Sequence, residues 1–75
     1  MHTNELTLIA HHRPETLERI LRVVRHRGFT VVGMKMRLEG EKIWLDFSVT
    51  SPREIHLLIN QLAKLYDVID VAKEE

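Results

Sequence analysis

Five histidines and one arginine behind a short apolar stretch are the residues of this 75-residue chain best suited to chemistry. Imidazoles are common metal ligands, and two of them chelate well when they share one face of a helix. No pair here has that spacing. His11 and His12 are adjacent, and neighbours on a strand point to opposite faces. His26 and His56 fall on different helices, each on or beside the polar side. The expectation is exposed or partly buried histidines without a metal. There is no cysteine, which excludes disulfides and thiolate zinc sites. Arg13 could meet a phosphate, but the segment before it has no glycine to bring backbone N–H groups close. No Ser-His-Asp set and no close acidic pair stands out, so catalysis by this chain alone is not expected.

The elements that must position these residues are legible from periodicity. Leu6, Leu8 and Ala10 alternate with Thr7, Ile9 and His11, which predicts a strand over residues 4–11. Pro14 suits a first helical turn. Leu17, Ile20, Leu21 and Val24 form one apolar stripe, predicting a helix over 15–26 with Gly28 as its left-handed stop. A second strand, rich in Val and Met, follows over 29–38. Its parity is ambiguous, and Gly33 suggests a bulge. Glu39-Gly40-Glu41 reads as a hairpin turn. The strand over 42–50 places Ile43, Leu45, Phe47 and Val49 on one face and Trp44, Asp46 and Ser48 on the other. Ser51-Pro52-Arg53-Glu54 has the pattern of a capping box. It should open a helix that runs to about Leu65 with Ile55, Leu58, Ile59 and Leu62 buried. Val68 to Ala72 is a last strand.

The order is β-α-β-β-α-β, the ferredoxin-like arrangement of class α+β. It implies a four-stranded antiparallel sheet with two helices on one face, a single domain over residues 1–75. The composition, 44% hydrophobic and 29% charged, suits a folded chain. A chain this short buries only about 60% of the surface that its unfolded form exposes. Without disulfides or a metal, oligomerisation is the remaining route to extra stability.

Eleven basic residues balance eleven acidic ones, so no global field favours nucleic acid or an anionic membrane. The RNA-binding versions of this scaffold also need aromatic residues on the central strands, and only Trp44 is offered. No apolar run approaches the roughly 20 residues of a membrane span. The start of the chain does not read as a signal peptide, so none is expected, and a cytoplasmic location is the simplest expectation. The charges are nonetheless uneven. Residues 1–38 carry seven basic and three acidic side chains; residues 39–75 carry four and eight. Three apolar residues fall outside the expected core: Trp44 and Ile9 on the open face of the sheet, and Leu57 on the outer side of the second helix. Trp44 with Ile9 either marks a partner surface or is shielded by long side chains beside it.

The segment Arg13-Pro14-Glu15-Thr16-Leu17-Glu18-Arg19-Ile20 resembles the entry to the first helix of ACT domains. More narrowly, Arg27-Gly28-Phe29-Thr30-Val31 and Gln61-Leu62-Ala63-Lys64-Leu65-Tyr66-Asp67-Val68 resemble the small regulatory subunits of acetolactate synthase. The similarity runs over nearly the whole chain. It implies a short subunit of the isozyme II type, with one ACT unit. Feedback-sensitive relatives place Asn or Asp and then Gly in the loop after the first strand. His12 and Glu15 stand at those positions here, beside Arg13 and Pro14, so the effector loop is expected to be degenerate and the subunit insensitive to valine.

The resemblance further implies a homodimer joined near helix one and strand two, and a large catalytic subunit carrying thiamine diphosphate, magnesium and FAD. The small subunit would raise the activity of that enzyme in branched-chain amino acid synthesis. Exposure makes Arg19, Arg22, Trp44 and Leu57 the candidate partner-binding residues. A stand-alone amino-acid-sensing module is the alternative. A small phosphate-ester or acyl-phosphate hydrolase using Arg13 stands behind both.

Overall fold

The chain runs β1 (His2–His11), α1 (Thr16–His26), β2 (Thr30–Glu39), β3 (Lys42–Ser51), α2 (Ile55–Ala63) and β4 (Val68–Glu74). The computed structural model describes residues 2–74. The strands are ordered β2-β3-β1-β4, and every neighbouring pair is antiparallel. Each βαβ half spans a gap that a strand of the other half fills, so the ferredoxin-like expectation holds.

The alternation of β1 and β3 makes the sheet two-faced. Leu6, Leu8 and Ala10 pair directly with Phe47, Leu45 and Ile43, and directly opposed residues share a face. These six are buried against Ile20 and Val24 of α1 and against Ile55, Leu58 and Leu62 of α2. Full burial of such a side chain stabilises the fold by about 1.5–3 kcal/mol, which makes this layer the main favourable term.

The ambiguous parity of β2 has a physical cause. Val31 pairs with Val49 and Gly33 with Ser48, so Val32 is an extra residue at a bulge beside Gly33. The bulge returns Met34, Met36 and Leu38 to the helix-side face, opposite Phe47, Leu45 and Ile43. The helices do not reach this far toward the edge. Met34, Met36 and Leu38 remain 42%, 49% and 52% exposed, and Val32 58%. A second bulge, between Ile9 and Ala10, leaves Ile69 unpaired in β4.

Two expectations need correction. Ser51 does not cap α2; it is the last residue of β3. Its hydroxyl donates to the Gly28 carbonyl at 2.9 Å and accepts the Arg53 N–H at 3.0 Å. The hydroxyl is thereby spent on a strand-to-helix turn and on the loop after α1. The residue before α2 is Glu54, in extended backbone with no side-chain cap bond. The helix also stops at Ala63, since Lys64 and Leu65 donate to the Gln61 and Leu62 carbonyls in i→i−3 turns. Gly28 behaves as read, with φ +85° closing α1.

Candidate functional site

The loop His12–Glu15 is held from both sides. Its first residue donates its N–H to the Glu41 carbonyl at 2.7 Å, and His11 donates to the Asp67 carbonyl at 2.8 Å. Thr16, buried at the start of α1, ties the loop together. Its hydroxyl accepts the Arg13 N–H at 3.1 Å and donates to the His11 carbonyl at 2.9 Å. A hydroxyl has one proton, and the Asp67 carboxylate, 3.4 Å away, is the weaker claimant for it.

Asp67 is the hub beneath this loop. Its side chain is 4% exposed, between Arg13 and Arg19. Arg13 Nε lies 3.0 Å from Oδ1, and Arg19 Nη1 lies 3.2 Å from Oδ2. The Arg19 contact is an aligned hydrogen bond. Arg13 is close to Oδ1 without aiming its N–H along the bond, so that oxygen is stabilised by charge and is otherwise unpartnered. A carboxylate out of water needs such compensation, and two half-exposed guanidiniums provide it. Arg13 also places its guanidinium 5.9 Å from the ring centre of Tyr66, which is 84% exposed.

The four loop residues singled out from sequence are therefore neighbours, but their chemistry is largely committed. Arg13 faces Asp67 rather than an open anion site. The carboxylate of Glu15 lies 3.8 Å from Arg19 on the surface. A shallow recess of about 270 Å³ is lined by His11, His12, Arg13 and Glu41. Among the described residues, no three His, Asp or Glu side chains come together as a metal site.

The four candidate partner residues do not share one surface. Arg19 is turned inward to Asp67. Arg22 is exposed on α1, and Leu57 is 53% exposed on α2. Trp44 is half-buried on the opposite face of the sheet, where it pairs with Ile9. Its shielding comes from Arg37, whose guanidinium stands 5.1 Å from the ring centre. Sequence reasoning missed Asp67, Thr16 and Arg37 as participants. Arg37 was within reach: a tight turn at Gly40 sets Glu39 against Lys42, and counting back sets Arg37 against Trp44. Asp67 gave no comparable signal, because Arg13 and Arg19 lie far from it in the chain. Thr16 bonds to nearby Arg13 and His11 but reads from sequence only as part of a helix start.

The chain matches the family model described as the ACT domain over residues 12–71. It is 47% identical over 74 residues to the acetolactate synthase isozyme 2 small subunit of Escherichia coli K12, covering 96% of this chain and 85% of that relative. The corresponding subunit of Shigella flexneri gives the same identity and coverage. Among solved structures, the ACT domain of the GTP pyrophosphokinase of Chlorobium tepidum superposes with a TM-score of 0.84 at 9% identity, covering 96% of each chain. The acetolactate synthase small subunit of Thermotoga maritima also gives 0.84, at 17% identity, over 97% of this chain and 47% of that one. At such identities the two structures speak for the fold.

Proposed function

Because the chain belongs to the ACT-domain family, among the small subunits of acetolactate synthase, we propose that it is the non-catalytic, activity-enhancing subunit of such an enzyme. The observation that carries the reading is the 47% identity sustained over 96% of the chain and 85% of the relative. Its partner is a large catalytic subunit that holds thiamine diphosphate, magnesium and FAD. That subunit joins two 2-oxoacids with loss of carbon dioxide, on the way to branched-chain amino acids. The complex works in the cytoplasm. The small subunit acts by binding the active state of the large one more tightly than the inactive state.

The chain pairs with a second copy of itself through β2. That strand is an edge, with unpaired backbone groups along one side. Beside it runs the exposed strip Met34, Met36 and Leu38. A groove of about 290 Å³ between α1 and β2, lined by Leu21, Phe29 and Val31 among others, continues the apolar surface. Joining two such edges would merge two sheets and cover both strips.

The subunit does not respond to valine. Support comes from Glu15, which fills a position where sensing relatives carry glycine, and from Arg13, already occupied with Asp67. The deciding experiment mixes the purified chain with its large subunit and assays acetolactate. A stable complex with raised turnover is expected; absence of both would overturn the reading.

A further inference from the structure

We infer that the open face of the sheet, centred on Trp44, is the surface that docks the catalytic large subunit. This rests on the small-subunit reading and adds a location to it. The helices cover one face of the sheet, and the β2 strip suits a second copy. The other face has an anatomy of its own.

Trp44 and Ile9 are directly opposed on the two central strands and only half-buried. Arg37 is opposed to Trp44 on the outer side and stacks over its ring. A stacked Arg–Trp pair is held in place before a partner arrives, and Trp and Arg are the residue types that most often carry binding energy at interfaces. Two shallow clefts of about 410 and 530 Å³ lie on this face and share Lys35, Asp46 and Glu74. The aromatic centre is therefore surrounded by a polar, charged rim, the pattern of a surface that meets a separately folded partner.

The rim also states what the partner must bring. Glu5 and Glu74 are directly opposed on β1 and β4. Like charges in that position repel; the Ser48 hydroxyl donates to Glu5 at 3.4 Å, and Lys35 lines the same cleft. At the β2 side, Lys35 stands directly opposite Asp46, so the positive charge there already has an acidic neighbour across the strands. The occupant should lay an apolar side chain against Trp44 and a basic group between Glu5 and Glu74.

A second copy suits this face poorly. Two sheets packed face to face need apolar interiors, and here Glu5, Lys35, Asp46, Asp70 and Glu74 would all be enclosed. The area is adequate for one partner. Three strands of ten residues and one of seven, about 4.8 Å apart, present on the order of 600 Å² in projection. One side of a standard interface buries about 800 Å² of rougher surface.

The test uses the single tryptophan as a reporter. The whole chain, labelled with 5-fluorotryptophan, is titrated with the unlabelled large subunit while its fluorine resonance and the binding constant are followed. The Trp44 resonance should shift and broaden on complex formation. Trp44→Thr and, separately, Arg37→Ser should weaken binding on the order of 30-fold, and Asn60→Ala, at an exposed position of α2, should not. Arg37 is a surface residue, so its variant remains informative if the tryptophan variant misfolds. A complex that forms and activates with an unchanged Trp44 resonance would overturn the location while leaving the small-subunit reading intact. No complex with the unmodified chain would overturn both. A shift produced by concentrating the chain alone, with sedimentation beyond a dimer, would assign the face to a second copy.

Discussion

Arg27 donates from Nη2 to the side-chain carbonyl of Gln61 at 3.0 Å, joining the end of α1 to the last turn of α2. These residues belong to two segments 34 positions apart that carry the resemblance to acetolactate synthase small subunits. In space the segments are one contact. Ser51 strengthens the same junction by holding the Gly28 carbonyl. The strength of the two ties differs, because the Arg27–Gln61 pair is exposed and the Ser51 hydroxyl is buried.

That difference is measurable. Gln61→Ala should cost less than about 1 kcal/mol, since water replaces the lost partner. Ser51→Ala should cost about 1–3 kcal/mol, since it leaves a carbonyl and an N–H short of a partner near the core. Urea titration of the two variants checks the order; equal losses would show that the junction is not organised as described.

Gly28 offers a second check on the junction. Its φ of +85° is strained for any residue with a Cβ, and a Cβ there would fall 2.8 Å from Arg53 Nε. The Arg53 side chain is exposed and can swing away, so the backbone term should dominate. Gly28→Ala is expected to lose about 1–2 kcal/mol. Adding Arg53→Ala should recover little of it, and a full recovery in thermal melts would mean that the clash was the cause.

Much of the fold could be read from sequence because it is written locally. The alternation of Ile43, Leu45, Phe47 and Val49 and the stripe through Ile20 and Val24 need only a short window, and all six residues are buried. Ser51 misled for the same reason: Ser-Pro-Arg-Glu is a good local cap, but the hydroxyl found Gly28, 23 residues away. Asp67 shows the limit at the candidate site. From sequence it marks the end of a helix. Its burial between Arg13 and Arg19 is fixed by β4 pairing with β1, a relation no local pattern encodes.

The Asp67 hub should be essential to the loop. Asp67→Ala leaves two arginines without their carboxylate and opens space beneath Thr16. Both arginines are half-exposed and can rehydrate, so the loss should be about 2 kcal/mol, below the usual cost of breaking a fully buried pair. Asp67→Asn keeps the shape and should lose less. Amide exchange at Arg13 and Thr16 should speed up in both variants; protection equal to the parent chain would show that the hub does not hold the loop.

The β2 strip carries the self-association prediction. Met36 is 49% exposed, in the middle of the strip and opposite buried Leu45. Met36→Glu adds a charge that water can solvate in the single chain but that a paired edge would bury. The variant should fold with little change in helix and strand content. It should sediment near 8.8 kDa, where the parent chain sediments near twice that mass. A monomeric parent chain at micromolar concentration, or a variant that still dimerises, would remove β2 as the pairing edge.

Valine is the last and sharpest probe, because the two functional readings diverge on it. A sensing module would take up valine at the loop with saturable heat. The proposed small subunit should give flat calorimetry, and acetolactate formation by the complex should be unchanged by valine. Glu15 supplies the mechanism to examine. By the resemblance it stands where sensing relatives would have glycine, and its side chain pairs loosely with Arg19 at 3.8 Å. Glu15→Gly frees the loop backbone but leaves Arg13 on Asp67, so one substitution should restore little binding. If Glu15→Gly alone confers strong valine inhibition, the steric argument is sufficient and the Asp67 hub is irrelevant to insensitivity. If the unaltered chain binds valine, the insensitive reading fails and the amino-acid-sensing alternative takes its place.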